Sequence, residues 1–353
     1  MRSLDNLVLI TGANGWLGKR FTRLLAAREF DHPTLADLPS GLRLRCMILP
    51  GESDADLRAM GADVEVFFGD LRNPADCEAF CREAKGALLF HTAGVIHPRQ
   101  VKDFYAINVG GVKNLLDAAA KANVRRIVAV SSNSPAGCNP HSDHLFDEHS
   151  PYHPYMNYGR SKMMMEQAVL ESEQKGAVET VILRAPWFYG PDQPARQTLF
   201  FSMIRAGKAP VVGSGNNLRS MAYVDNLSLG MMLAAVTESA RGKTYWIADR
   251  HPYSMNEIID TVERLLEEEF HWPVQHSRMR LPGIASEVAM AVDFTLQKLG
   301  MYNQKIHVLS EMNKTIACSI ARAECELGYR PRIALEEGMR RSIQWCVDRG
   351  IAI

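Results

Sequence analysis

The sequence predicts an α/β fold, a doubly wound parallel sheet with a smaller, mainly C-terminal α/β domain. Three observations carry that prediction. Short apolar runs alternate with longer amphipathic ones over the first half; a glycine-rich turn follows the first apolar run at once; and the alternation fades after about residue 185. The apolar runs 7–11, 43–49, 64–68, 87–91, 126–131 and 180–183 read as strands, and 15–28, 74–85, 103–122 and 158–174 as helices between them. Strands alternating with helices form βαβ units with right-handed crossovers, so the sheet is parallel. Pro and Gly then rise between 186 and 215, followed by a strand-like Tyr223-Val224, an apolar helix 227–236 and a strand 244–248. The expected division is 1–185 with 223–249 in one domain, and 186–222 with 250–353 in the other. In such folds ligands lie beyond the carboxyl ends of the strands, where the strand order reverses.

Composition narrows the class. At 353 residues, one large domain or two fused ones are expected. The 40 basic residues cancel 40 acidic ones, so no global field favours nucleic acid, and any anion must be caught locally. Seven scattered cysteines form no paired CxxC set, which predicts neither a zinc site nor a disulfide framework. Leu7 opens a strand without a signal-peptide h-region, and no run of 18 apolar residues exists. A reduced, cytoplasmic protein is expected.

The turn Thr11-Gly12-Ala13-Asn14-Gly15-Trp16-Leu17-Gly18 joins the first strand to the first helix. Glycines there allow a tight turn and let backbone N–H groups approach a pyrophosphate at the helix N-terminus, the mark of a dinucleotide site. Its GxxGxxG spacing resembles the short-chain dehydrogenase/reductase superfamily, which implies a Rossmann-like nucleotide domain. On that resemblance Gly12, Asn14, Gly15, Trp16, Leu17 and Gly18 cradle the cofactor, and Asp70-Leu71 contacts its adenine. His91-Thr92-Ala93-Gly94 resembles the extended branch's H-x-A-A segment along the cofactor, with Gly94 in place of Ala, and Asn108 resembles the helix-kink asparagine. The second strand ends Met47-Ile48-Leu49-Pro50-Gly51, with neither the Asp of an NAD site nor the Arg of an NADP site. NAD is the expectation; NADP stays open, since alternation lets Arg45 point either way.

Tyr158 and Lys162 stand in a YxxxK pattern, which puts phenol and ammonium on one helix face. A nearby ammonium and an oxidised nicotinamide both favour the phenolate, so Tyr158 is the expected base. By resemblance Lys162 also holds the nicotinamide ribose, and Ser132 polarises the forming carbonyl, with Ser134 as runner-up. The stretches Asp147-Glu148, Pro154–Tyr158, Arg184–Pro191, Arg219–Asn226 and Leu327–Pro331 resemble nucleotide-sugar epimerases of the extended branch across nearly the whole chain. Pro186 then lies at the cofactor, and His97, Ser132, Ser134, Trp187 and Arg219 are the candidate substrate contacts, Arg219 matching a diphosphate-binding arginine.

Two departures bear on chemistry. Asn133 and Ser134 stand where related dehydratases carry Asp-Glu, which argues against dehydration, and Trp187 replaces a common asparagine. The segment from Leu281 resembles an insertion in 3β-hydroxysteroid dehydrogenase-like proteins and in epimerases of polyprenyl-diphosphate-linked sugars. Its residues Ile284, Ala285, Val288, Ala289, Val292 and Leu296 form one apolar face. A face of this kind is more often core than membrane contact, though it can rest on a bilayer. His141, His144, His149 and His153, with Asp143 and Asp147, crowd the loop before Tyr158. They are read as part of a lid over the substrate, not a metal site. The resemblance implies an NAD-dependent epimerase acting at C4 of a nucleotide- or polyprenyl-diphosphate-linked sugar. The alternative is an oxidoreductase acting on a lipophilic secondary alcohol. It also implies a homodimer through helices 103–122 and 158–174.

Overall fold

A computed structural model describes residues 6–36, 38–39 and 41–353. The chain runs β1 (Leu7–Thr11), α1 (Trp16–Ala27), β2 (Arg43–Ile48), α2 (Ala55–Arg58), β3 (Val64–Phe68), α3 (Pro74–Phe80) and β4 (Leu88–His91). It continues through α4 (Val101–Tyr105), a π-helical turn Ala106–Gly111, α5 (Val112–Lys121), β5 (Arg126–Ser132), α6 (Met156–Gln174) and β6 (Glu179–Ala185). Next come β7 (Trp187–Tyr189), α7 (Ala195–Arg205), β8 (Pro210–Val212), β9 (Leu218–Arg219), β10 (Met221–Tyr223), α8 (Val224–Val236) and β11 (Lys243–Trp246). The rest is β12 (Tyr253–Ser254), α9 (Met255–Arg264), β13 (Met279–Leu281), α10 (Ile284–Lys298), α11 (Gln304–Glu311), α12 (Ala321–Glu326) and α13 (Leu335–Asp348).

Seven strands make one parallel sheet in the order β11-β6-β5-β4-β1-β2-β3, so the order reverses between β1 and β4. Both faces are covered, as a parallel sheet requires. Alternation in β1 sends Val8 and Ile10 to the apolar cluster that includes Phe21 and Leu233, and Leu7 and Leu9 to the one with Leu115 and Met165. Helix α8 is buried nearly all round, which explains why its sequence is apolar without a stripe. A third cluster, around Tyr189, Phe201, Tyr223, Ile258, Val262, Met339 and Ile343, is built from residues between 189 and 223 and between 253 and 353.

Three expectations change. The predicted helix 103–122 is broken by the π turn, which bulges around the buried Asn108. Arg45 turns away from the carboxyl end of β2: it donates to Glu65 (3.0 Å) and to the carbonyls of Phe80 and Arg82 (2.9 and 2.8 Å), closing the end of α3. It is a structural residue there, not a phosphate ligand. Of the apolar face of α10 only Ala289 is buried: Ile284, Val288 and Val292 point outward, while Ser286, Asp293 and Gln297 are buried.

Candidate active site

The cradle forms where β1 meets α1. Gly12 has φ +69° and lies so close to Ala93 that a Cβ would sit 2.7 Å from its backbone; a Cβ on Gly18 would strike the Gly12 carbonyl. Thr92 Oγ1 donates to the Thr11 carbonyl (2.7 Å), which binds the segment after β4 to the turn. No side chain caps α1 at Gly15, so its first-turn N–H groups suit an anion. Asn14 and Trp16 spend their side chains on the carbonyls of Ser53 (2.8 Å) and Pro191 (2.7 Å), and Leu17 is buried; these three offer the cradle their main chain. Asp70 is gripped by Arg72, whose guanidinium holds the carboxyl below its usual range; Leu71 is buried beside it. These residues fit a dinucleotide.

His91 is buried, shares Nδ1 with the Thr11 hydroxyl (2.8 Å) and leaves Nε2 without a partner. Burial, with the Lys162 charge adding to it, pushes the ring down to about 3, so it is a neutral prop. Of its segment, Thr92, Ala93 and Gly94 lie nearer the surface. Asn108 clamps Val95 through both its N–H (2.9 Å) and its carbonyl (3.1 Å) and reaches Ser161 Oγ (3.1 Å).

The candidate catalytic residues gather at the end of β5 and the start of α6. A Cβ on Gly159 would lie 2.4 Å from the Ser134 carbonyl, so only glycine lets the catalytic helix press against that turn. Tyr155 N donates to the same carbonyl (3.0 Å). Ser132 and Ser134 are both buried, with hydroxyls 3.3 Å apart, and Ser132 interacts with the Tyr158 phenol. In the chain by itself, burial pushes the Tyr158 phenol up to about 12, and Ser132 offsets only part of this. Lys162 Nζ instead donates to the Val130 carbonyl (2.9 Å), and burial pulls it down to about 8.

A second group gathers around Arg219 and Tyr302. Arg219 is buried, donates one amino group to the Glu311 carbonyl, lies over the Trp187 ring (5.8 Å) and leaves Nε without a partner. Trp187 is half exposed and Pro186 buried. His97 shares a hydrogen bond with Tyr302 (2.8 Å), and Phe104 packs between Tyr302 and Tyr158 at 5.3 and 5.8 Å. Tyr302, Phe104 and Glu311 were missed from the sequence because they carry no local pattern and arrive by tertiary packing. Glu166 was also missed: buried one turn beyond Lys162, it pairs with Arg184 (2.8 Å) and accepts from Ser131 and Tyr152. The histidine-rich loop is pinned by Asn139, which bonds the His144 and Ala317 carbonyls, and by Phe146 stacked on Trp246. Among the described residues no three His, Cys, Asp or Glu are grouped to hold a metal.

The model of the NAD dependent epimerase/dehydratase family matches residues 8–248, from β1 past β11 and through every residue of the YxxxK centre. The chain belongs to that family. It is therefore an NAD-dependent enzyme. It is 53% identical to a protein of Sinorhizobium fredii, y4nL, over 98% of this chain and 96% of that one. It is 25% identical to the 3beta-hydroxysteroid-dehydrogenase/decarboxylase isoform 1 of Arabidopsis thaliana, over 95% of this chain and 78% of that protein. An N-acetyl-alpha-D-glucosaminyl-diphospho-ditrans,octacis-undecaprenol 4-epimerase of Escherichia coli O157:H7 is 26% identical, over 69% of this chain and 71% of its own. The UDP-glucuronic acid 4-epimerase of Bacillus cereus, solved with NAD, shares the fold with a TM-score of 0.75 at 17% identity, covering 98% of this chain and all of that one.

Proposed function

We propose that this enzyme epimerises a sugar carried on a diphosphate, at C4, with nucleotide or polyprenol as carrier. The observation that carries the reading is Arg219: a buried guanidinium beside Tyr155 and Trp187 whose Nε has no partner and is available to an anion. NAD, when bound at Gly12–Gly18, supplies the hydride acceptor and donor. Tyr158 takes the proton of the sugar hydroxyl and later returns it to the same oxygen. Ser132 holds that oxygen as it becomes a carbonyl, and Lys162 supplies positive charge beside the ribose and the phenol. Residues 186–222 and 250–353 form the substrate side, with His97, Ser134 and Trp187 lining it. Asn133 and Ser134 offer no acid to expel a hydroxyl, so the cycle does not dehydrate. A homodimer through α5 and α6 in the cytoplasm, with all seven cysteines free, completes the reading. No described helix is long and apolar enough to cross a membrane.

A second reading, oxidation of a lipophilic secondary alcohol, is favoured by the aromatic pair Phe104 and Tyr302 beside Tyr158 and by similarity to the Arabidopsis dehydrogenase over most of both chains. The two separate in one experiment. The enzyme is incubated with UDP-N-acetylglucosamine, with its undecaprenyl-diphosphate counterpart and with a 3β-hydroxysterol, and products are followed by NMR and absorbance at the NADH band. A C4 epimer without net NADH supports the proposal. NADH accumulating on the sterol alone overturns it.

A further inference from the structure

Helix α10 is built inside out. Its buried side is polar except for Ala289: Ser286 Oγ donates to the Ser310 carbonyl (2.7 Å), Asp293 Oδ2 accepts from Gln297 (2.9 Å) and is shared with His307 Nδ1 (2.7 Å), and Gln297 Oε1 accepts from Asn157 N and Nδ2 (3.1 and 2.9 Å). Its outer side is apolar. Ile284 is 68% exposed, Val288 57% and Val292 42%, spaced four apart on one stripe that Leu299, 69% exposed, extends. Rolling the helix to hide the stripe would break those buried bonds, so the face stays outward.

The rim of the stripe is basic. Lys298 and Lys305 are exposed, as are Arg99 and Lys102, whose segment is joined to the turn after α10 by Val101 N to the Gly300 carbonyl and by the Gln100–Met301 bridge. Glu287, the only exposed acid on α10, is paired with Lys314. Lys298 lays its ammonium over the Phe294 ring (4.4 Å), its stem along the apolar surface and its head at the edge. A helix of 15 residues is about 22 Å long, too short to span a bilayer, yet suited to lie in its surface.

We propose that α10 and the Leu299–Met301 turn dock the enzyme flat on an anionic lipid surface. Apolar side chains enter the headgroup boundary while Arg99, Lys102, Lys298 and Lys305 meet the lipid phosphates. The buried bonds that hold α10 end on Asn157, beside Tyr158, so the docked face lies directly behind the start of the catalytic helix. The inference concerns where the enzyme sits and stands whichever substrate reading holds.

The test is flotation of the full chain with vesicles of phosphatidylcholine alone and with added phosphatidylglycerol. The expected result is binding to the phosphatidylglycerol vesicles that weakens with salt. Val288→Ser and Val292→Ser should each weaken it roughly tenfold, and Lys298→Gln or Lys305→Gln roughly fivefold. Thermal melts are recorded alongside to show that these exposed substitutions leave the fold intact. Failure of the folded wild type to float, or flotation indifferent to all four substitutions, overturns the proposal. So does an absence of flotation together with a dimer that Val288→Ser dissociates, since a second copy then covers the stripe.

Discussion

Tyr158 and Lys162 show how burial alters a pair whose presence the spacing announces. The i,i+4 pattern places both groups on one face, and the structure keeps them there. Yet burial drives the phenol up to about 12 and the ammonium down to about 8, each toward its neutral form. The base therefore works from a small phenolate fraction, and the ammonium that supports it is itself lost above pH 8. The oxidation half-reaction is expected to rise about tenfold per pH unit and to level off above pH 8. In Lys162→Arg, whose guanidinium keeps its charge, the break disappears even if the rate is low; a pH–rate profile of both proteins checks this. Tyr158→Phe should lose about 10²–10⁴-fold in turnover while binding NAD as before, read by single-turnover kinetics and calorimetry. Unchanged activity would remove Tyr158 from the mechanism. Arg219 was also legible as a residue type in a pattern; its hydrogen-bond partner was not, because Glu311 reaches it across the fold.

Helix α6 carries the catalytic pair and is held to the sheet by a charge. Glu166 is fully buried and meets Arg184 on β6, Ser131 on β5 and Tyr152, while Arg184 lies over the Tyr152 and Trp246 rings. Removing one partner strands the other charge in the interior. Glu166→Ala should cost about 3–5 kcal/mol by denaturant unfolding and displace Lys162, whose charge Glu166 supports. Asp249, just beyond β11, is the counterpart at the join of the large sheet and the β7–β10 pair, accepting from Tyr189 (2.5 Å), Tyr223 N and Asn226. Burial raises it from 3.8 to about 6. A raised acid stabilises the fold only while protonated: that contribution is complete below pH 4 and is lost as pH rises through 6. Stability should therefore fall across this window by on the order of 2–3 kcal/mol relative to Asp249→Asn, measured by melts from pH 4 to 7. The sheet strands were legible because each is a short apolar run between turns. Strands β8, β9, β12 and β13 have only two or three residues, too few for any period to show. Helix α10 was legible as amphipathic, but periodicity does not say which face looks inward, and here buried Asp293 and Gln297 decide it.

At the scale of the molecule, the site lies where the strand order reverses between β1 and β4, as parallel sheets of this kind direct. The glycine-rich turn after β1, the turn after β5 and the start of α6, which the proposed function uses, all lie on that side of the sheet. The opposing wall comes from β9, α11 and the turn at Tyr302, brought in by packing that no local pattern encodes. The proposed dimer through α5 and α6 predicts a light-scattering mass of twice the 39.4 kDa chain; a single-chain mass would exclude it. The central claim is that the enzyme passes a hydride out and back on one retained NAD. Its most direct test is mass spectrometry of the nucleotide released when freshly purified protein is denatured. Nearly one NAD per chain is the result expected, because an epimerase regenerates its cofactor at every turnover. A chain that yields no nucleotide and binds NAD weakly and reversibly, or one that yields NADP, would contradict it.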